Sequence, residues 1–241
     1  MSGLTVLFED NHLLVVDKPA GLLVQGGDAH DADDHLVARA AAWLRARYDK
    51  PGNVYVGLVH RLDRNTSGVV VLAKTSKAAS RLSSAFATRA VHKDYLAVVA
   101  GHAPDHGRLE HRLVATSDGG SRIAAQGDAQ AAVARLVYTT LARTKVGAPA
   151  SLLEVRLETG RKHQIRVQLA AAGHPLLGDR RYAPPGVAAR FNRPALHAHT
   201  IAFVHPVRGD EVRFTAPIPT DFSALMETLG LAVTAFAKND T

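Results

Sequence analysis

The stretch of the chain richest in reactive side chains is His60-Arg61-Leu62-Asp63-Arg64-Asn65-Thr66-Ser67-Gly68. Asp63 stands between two arginines in a polar loop, with apolar runs on either side. Loops at strand ends are where rigid scaffolds present catalytic groups. Flanking positive charge favours the carboxylate form of an aspartate, and a carboxylate can act as nucleophile or general base. The plainer reading is a turn or cap formed by Asp63 with Thr66 and Ser67. Two other segments concentrate similar chemistry. In Val91-His92-Lys93-Asp94-Tyr95-Leu96, Tyr95 opens an apolar run and could offer a phenol or simply pack with its hydroxyl at the core boundary. In Thr159-Gly160-Arg161-Lys162-His163-Gln164-Ile165-Arg166, Arg166 suits either an exposed helix face or a bidentate pair with a carboxylate such as Asp63.

The formal net charge is +7 over 241 residues, and it is unevenly spread. Between Gly160 and Arg193 lie Arg161, Lys162, Arg166, Arg180, Arg181, Arg190 and Arg193 against the single acid Asp179. Clustering of this kind suits a polyanion, because cations that meet phosphates release condensed counterions. Aromatic residues make up 5% of the chain, too few for a base-stacking platform. With no cysteine, disulfides, thiolate metal sites and cysteine nucleophiles are excluded. The 46% hydrophobic content supports a buried core. No apolar run approaches the roughly 18 residues a bilayer span needs. Glu9, Asp10, Asp17 and Lys18 interrupt the N-terminal apolar residues, unlike the core of a signal peptide. A soluble cytoplasmic protein is expected.

The elements that must hold these residues can be read from periodicity. Apolar runs flanking Glu9-Asp10-Asn11-His12 predict a hairpin over Val6 to Val16, broken at Lys18-Pro19-Ala20-Gly21 and resumed at Leu22-Leu23-Val24. Asp34 is positioned to cap a helix with Leu36, Ala40 and Trp43 or Leu44 on one face. Val54, Val56 and Leu58 alternate as in a half-buried strand. The run Gly68-Val69-Val70-Val71-Leu72-Ala73 predicts a buried one. A helix capped by Ser76 should carry Leu82 and Phe86, followed by a strand at Leu96 to Val99. Leu153, Val155 and Leu157 alternate with Glu154, Arg156 and Glu158, as in a sheet with one wet face. His163 to Ala172 fits both periods, but the alanines followed by Gly173 and Pro175 favour a helix. Asp221 is expected to cap a last helix bearing Leu225, Met226 and Leu229. The predicted fold is mixed α/β (α+β), with a mainly antiparallel central sheet flanked by helices and loops, in a single domain spanning 1–241.

The same segments resemble, block by block, the RluA-type family of RNA pseudouridine synthases. The resemblance rests on Lys18-Pro19-Ala20-Gly21-Leu22, His60-Arg61-Leu62-Asp63 with Thr66-Ser67-Gly68 and Ala73-Lys74, Lys93-Asp94-Tyr95, and Thr159 to Arg166. Gly173-His174-Pro175, Gly178-Asp179 with Tyr182, and Leu196-His197-Ala198 follow in the family's order, so the match runs from about Thr5 to Phe222. It implies that a uridine in RNA is detached at its glycosidic bond, rotated and rejoined through C5, with the base flipped out of the stack. Asp63 matches the essential aspartate, which either attacks the nucleoside or removes the ribose 2′ proton. Tyr95 matches the tyrosine thought to remove the C5 proton. Arg166 matches the arginine that pairs with the aspartate, and Arg61 a residue that occupies the space of the extruded base. The charge pattern adds Arg64, Arg161, Lys162, His163, Arg180 and Arg181 as RNA-binding candidates.

No cofactor and no metal are implied, and the expected partner is ribosomal or transfer RNA bound by a monomer. Because the first block begins at Thr5, the S4-like RNA-binding domain of some relatives is expected to be absent. The chain has Gln168 where the family often has histidine, with little expected consequence. The segment Leu113 to Arg135 resembles the family weakly, and Asp118-Gly119-Gly120 suggests a mobile hairpin that helps define substrate. Two rival readings remain: a metal-dependent nuclease using His197 and His199 or the cluster Asp28, Asp31, Asp33 and Asp34, and a catalytically idle RNA-binding module. The aspartates read more simply as a helix start, and no third ligand accompanies the two histidines at recognisable spacing.

Overall fold

The computed structural model describes residues 3–26, 34–49 and 51–231. In chain order its elements are β1 (Thr5–Glu9), β2 (Leu13–Lys18), α1 (Leu36–Tyr48), β3 (Gly57–Leu58), β4 (Ser67–Ala73), α2 (Ser76–Ala87), β5 (His92–Ala100), β6 (His106–Ala115), β7 (Ser121–Ile123) and β8 (Ala132–Arg143). They continue with β9 (Ala150–Leu157), α3 (Gln164–Ala171), α4 (Pro185–Ala188), β10 (Leu196–Val204), β11 (Glu211–Thr215) and α5 (Thr220–Thr228). The fold is mixed α/β with mostly antiparallel strands, as the sequence predicts. Two compact units divide it, Met1–Lys93 with Ala198–Pro217 and Asp94–His197 with Ile218–Thr241.

In the first unit the strand order is β1-β2-β4-β10, with β3 on β4 and β11 on β10. β1 and β2 form the expected hairpin, its turn closed where the Asp10 carboxylate accepts from the backbone of His12 and Leu13. β2 and β4 pair from Leu13 opposite Ala73 to Lys18 opposite Gly68. Side chains alternate across a strand, so Leu13, Val15 and Asp17 share one face with Val69 and Val71, while Leu14, Val16 and Lys18 share the other. The first face packs on Ala78 and Leu82 of α2. The sequence places no polar break between Leu13 and Val16 because both faces of this strand are buried.

Gly68 is fixed by space and by backbone. Its φ of 121° is open to glycine, and a Cβ there would overlap the main chain of Ala198. Helix α1 buries Leu36, Ala40 and Leu44, leaving Trp43 half-buried beneath the Arg47 guanidinium. Its cap is His35, whose Nδ1 accepts from the Ala38 amide, and Asp34 instead pairs with Arg39. Likewise Thr75 rather than Ser76 caps α2. Val54 and Val56 lie outside any strand, and Leu23 forms only an isolated bridge with His35. Asp28, Asp31 and Asp33 lie outside the described residues.

The second unit runs β5-β9-β8-β6-β7, all antiparallel. One row crosses it in register: Tyr95 opposite Val155, Val155 opposite Tyr138, and Tyr138 opposite Gly107. The Tyr138 ring fills the space a side chain at Gly107 would take. The alternate row, Asp94, Arg156, Val137 and Arg108, therefore faces the other way, which is the wet face expected of β9. Helix α3 settles the ambiguous stretch and packs Val167 against Leu113 and Ala134. In α5 the buried residues are Phe222 and Met226, with Leu225 and Leu229 only partly buried, and Pro219 occupies the cap.

One consequence concerns Asp17, which shares its face with core aliphatics. Burial pushes its carboxyl up to about 6, and one buried carboxylate oxygen lacks a partner among the described residues. A folded pKa above the ordinary 3.8 means that protonation favours the fold. That advantage is complete below the ordinary value and is lost as pH rises through about 6. Asp17→Asn should therefore stabilise the protein at pH 8 by about 1 kcal/mol, less than the full shift implies because solvent reaches part of the carboxyl, and flatten the fall in Tm between pH 5 and pH 8. A wild-type pH profile in the variant, followed by thermal denaturation, would contradict this account.

Candidate active site

In the first unit Asp63 lies in the loop between β3 and β4, half-buried between exposed Arg61 and Arg64. The loop makes the tight turn that the plainer reading of the sequence expects, and the Asp63 carbonyl closes it by accepting from the Thr66 amide at 3.1 Å. What orients the loop is Lys18. Its side chain is fully buried, and Nζ donates to the carbonyls of Pro19 at 2.9 Å, Leu22 at 2.8 Å and Arg64 at 3.0 Å. The Arg64 carbonyl also accepts from the Gly21 amide, and Arg64 Nε donates back to the Gly21 carbonyl. The loop after β2 and the loop carrying Asp63 are thus clasped by three direct hydrogen bonds. On the entering side, His60 Nε2 accepts from the Val71 amide at 2.9 Å, and its ring stacks on Phe86 with centroids 4.7 Å apart. That acceptor role requires a neutral imidazole. Burial, and then the charge of Lys93, hold His60 neutral by pushing it down to about 3.

In the second unit Tyr95 is buried on β5 at its pairing with Val155, beside the buried Asp94, whose carboxylate binds Arg156 Nε at 2.7 Å on the opposite face. Arg166 lies on α3. Its guanidinium meets Asp179 in a fork, Nε to Oδ2 at 2.7 Å and Nη2 to Oδ1 at 2.8 Å, with both side chains largely buried. Asp179 Oδ1 additionally accepts from the amides of Arg181 and Tyr182. The Tyr182 ring lies under Arg166, 4.9 Å from the guanidinium carbon. Its hydroxyl accepts from the Ser121 amide at 2.9 Å and stands 2.7 Å from His163 Nδ1. Burial pushes the Tyr182 phenol up. His163 precedes α3 with φ 54°, and Gln164 Oε1 accepts from both the Thr159 hydroxyl and the Arg161 amide.

The cationic cluster divides into two kinds. Arg166 is largely buried in its pair with Asp179, Arg193 is buried while its partner Asp221 stays exposed, and Arg190 donates to the carbonyls of Ala148 and Pro149. Arg161, Lys162, Arg180 and Arg181 are exposed and His163 is half-buried. Arg181 binds Asp118 at 2.9 Å, at the turn of the β6–β7 hairpin. Gln168 is fully buried, with Nε2 donating to the carbonyls of Leu109 and Ala134. His197 is buried against Phe222, and His199 Nδ1 lies 3.1 Å from the Ala216 carbonyl. No cluster of three metal-ligating side chains occurs among the described residues.

Sequence reasoning placed Lys18 and Asp179 in shared motifs and gave neither a task. The signal available was a lysine at the end of an unbroken apolar run, where burial demands acceptors, and a lone acid among seven cations.

Asp63 thus stands on a clasped loop of the first unit, while Tyr95 on β5 and the ion-paired Arg166 on α3 belong to the second. The chain matches the family described as RNA pseudouridylate synthase over residues 12–171, and it belongs to that family. It is an isomerase acting on RNA. A relative from Zymomonas mobilis, named ribosomal large subunit pseudouridine synthase D, is 38% identical over 94% of this chain and 73% of its own length. One of the same name from Xanthomonas campestris is 39% identical over 94% of this chain and 69% of its own. A solved structure, human RNA pseudouridylate synthase domain containing 4, superposes with a TM-score of 0.74 at 25% identity, covering 94% of this chain and 93% of that one. No described helix is long and apolar enough to cross a membrane.

The fork between Arg166 and Asp179 yields a prediction. Removing one partner of a buried ion pair costs about 3–5 kcal/mol, because the other charge is left uncompensated. Arg166→Ala should lower stability by about that amount in urea denaturation. Arg166→Met combined with Asp179→Leu should recover most of it while leaving the enzyme inactive. Wild-type stability in the single variant would mean that solvent reaches the pair.

Proposed function

We propose that the protein converts uridine in large-subunit ribosomal RNA to pseudouridine, acting as a cytoplasmic monomer with Asp63, Tyr95 and Arg166 as catalytic residues. The choice of RNA is supported by the names of relatives that align along 94% of the chain. The observation that carries the catalytic assignment is the clasp that Lys18 and Arg64 make at the Asp63 loop. So costly an arrangement fixes one short segment, and that segment's central residue is a carboxylate.

The reaction breaks the N1–C1′ bond, turns the base and forms a C5–C1′ bond. C5 loses a proton and N1 gains one, so atoms and electrons balance without a redox partner or group donor. Asp63 initiates, by attack on the nucleoside or by removal of the 2′ proton. Tyr95 takes the C5 proton at the end, and Arg166 keeps the catalytic carboxylate charged and oriented. Arg61 fills the space of the flipped base, which must leave its stack to rotate. Arg64, Arg161, Lys162, His163, Arg180 and Arg181 hold flanking phosphates, contacts that set register without reading sequence. An idle RNA-binding module is disfavoured by family membership together with the presence of all three reactive residues.

Asp63→Asn keeps the shape of the loop and removes the charge. Isomerisation of large-subunit ribosomal RNA transcripts should fall by about 10³-fold or more, with RNA binding retained. Turnover at the wild-type rate would remove Asp63 from the mechanism. Chemical mapping of pseudouridines in RNA from cells with and without the gene should show sites lost from large-subunit RNA, and losses confined to transfer RNA would reassign the substrate.

A further inference from the structure

Cations inside this protein are matched. Lys18 has three carbonyls, Lys74 has Glu9 and the Asp10 carbonyl, Arg166 has Asp179, and Arg193 has Asp221. Lys93 departs from the pattern. It is half-buried at the start of β5, yet among the described residues no carboxylate or carbonyl accepts from its ammonium. Its described neighbours are the Phe86 ring, whose centroid lies 5.9 Å from Nζ, and His60, whose ring stacks on Phe86. His60 is neutral and cannot balance the charge, because its Nε2 already accepts from Val71. Burial disfavours the charged ammonium. A desolvated cation without an acceptor destabilises a fold, so its retention calls for an anion that arrives later.

Position indicates which anion. Lys93 sits against the residue that leads into Arg61-Leu62-Asp63-Arg64, at the base of the loop that presents Asp63. A substrate whose uridine reaches Asp63 brings a phosphodiester on each side of that nucleotide. We propose that Lys93 is a phosphate-binding residue, taking one backbone phosphodiester of the RNA beside the Asp63 loop. This rests on the reading of the protein as an enzyme of ribosomal RNA. The aromatic ring under the ammonium supports the cation without neutralising it, leaving the charge available to the incoming phosphate.

The test uses the full chain carrying Asp63→Asn, so that bound RNA is not turned over, and an unmodified large-subunit ribosomal RNA transcript as probe. Affinity is measured against KCl by filter binding. Lys93→Met keeps the length and apolar contact of the side chain and removes the charge. It should weaken binding about tenfold at about 0.1 M salt and lower the slope of log affinity against log salt by about 0.7–0.9. Lys93→Arg should keep the slope. The Tm of Lys93→Met without RNA should be unchanged or higher, since an unmatched charge has been removed. A slope equal to that of the parent would overturn the proposal. So would a lowered Tm with an unchanged slope, which would reveal an acidic partner within the chain. Failure of the parent to bind the transcript would instead overturn the assignment of the RNA, and this site with it.

Discussion

Burying an ammonium group costs several kcal/mol unless its donors all find acceptors. Lys18 meets that condition with three carbonyls, and the choice has structural consequences. Its Cα is fixed by pairing with Gly68, so Nζ can be satisfied only if the Pro19, Leu22 and Arg64 carbonyls converge on one point. Two of these belong to the lysine's own loop, and the third belongs to the residue after Asp63. A movement of the Asp63 loop would strip an acceptor from a buried cation. Gly68 enters the same constraint, since only a residue without Cβ lets β4 approach Ala198 closely enough to keep that pairing. The loop is therefore held by a penalty on leaving as much as by attraction in place.

The second unit solves the corresponding problem for Arg166 with a charge pair. Asp179 accepts four hydrogen bonds, two from the guanidinium and two from the amides of Arg181 and Tyr182. The arginine is further confined by the Tyr182 ring on one side. Because the Tyr182 hydroxyl also receives the Ser121 amide, the β6–β7 hairpin and the arginine share one anchor. Such neighbours decide whether a planar, five-donor group presents its donors in one direction.

How far the sequence revealed this follows from the range of each interaction. Strands such as β4 and the hairpin of β1 with β2 depend on local alternation and were readable, as was the order of the motif blocks that hold Asp63, Tyr95 and Arg166. Helix caps were off by one at His35 and Thr75, because neighbouring residues offer equivalent acceptors and only the backbone angle chooses. The Lys18 clasp joins residues 46 apart and the Arg181–Asp118 bridge residues 63 apart, contacts that no window of periodicity spans. Phe222 was missed in α5 because Pro219, not Asp221, caps the helix, which brings Phe222 inside the first turn on the same face as Met226.

The cationic segment shows why charge counting alone overstates an RNA interface. Seven basic residues between Gly160 and Arg193 read as one polyanion-binding stripe. Folding withdraws Arg166 into a largely buried pair, buries Arg193 against an exposed Asp221 and engages Arg190 with carbonyls, so fewer than half of the seven remain exposed without a carboxylate partner. Conversely Lys93 lies outside the stripe, in a stretch where His92 and Asp94 make the local charge unremarkable. What distinguishes a cation available to a phosphate is the balance between its burial and its acceptors, and that balance exists only in the folded chain. A charge left unmatched in a partly dry setting gains more from a phosphate than a solvated one does, because less water must be displaced and the local dielectric is lower.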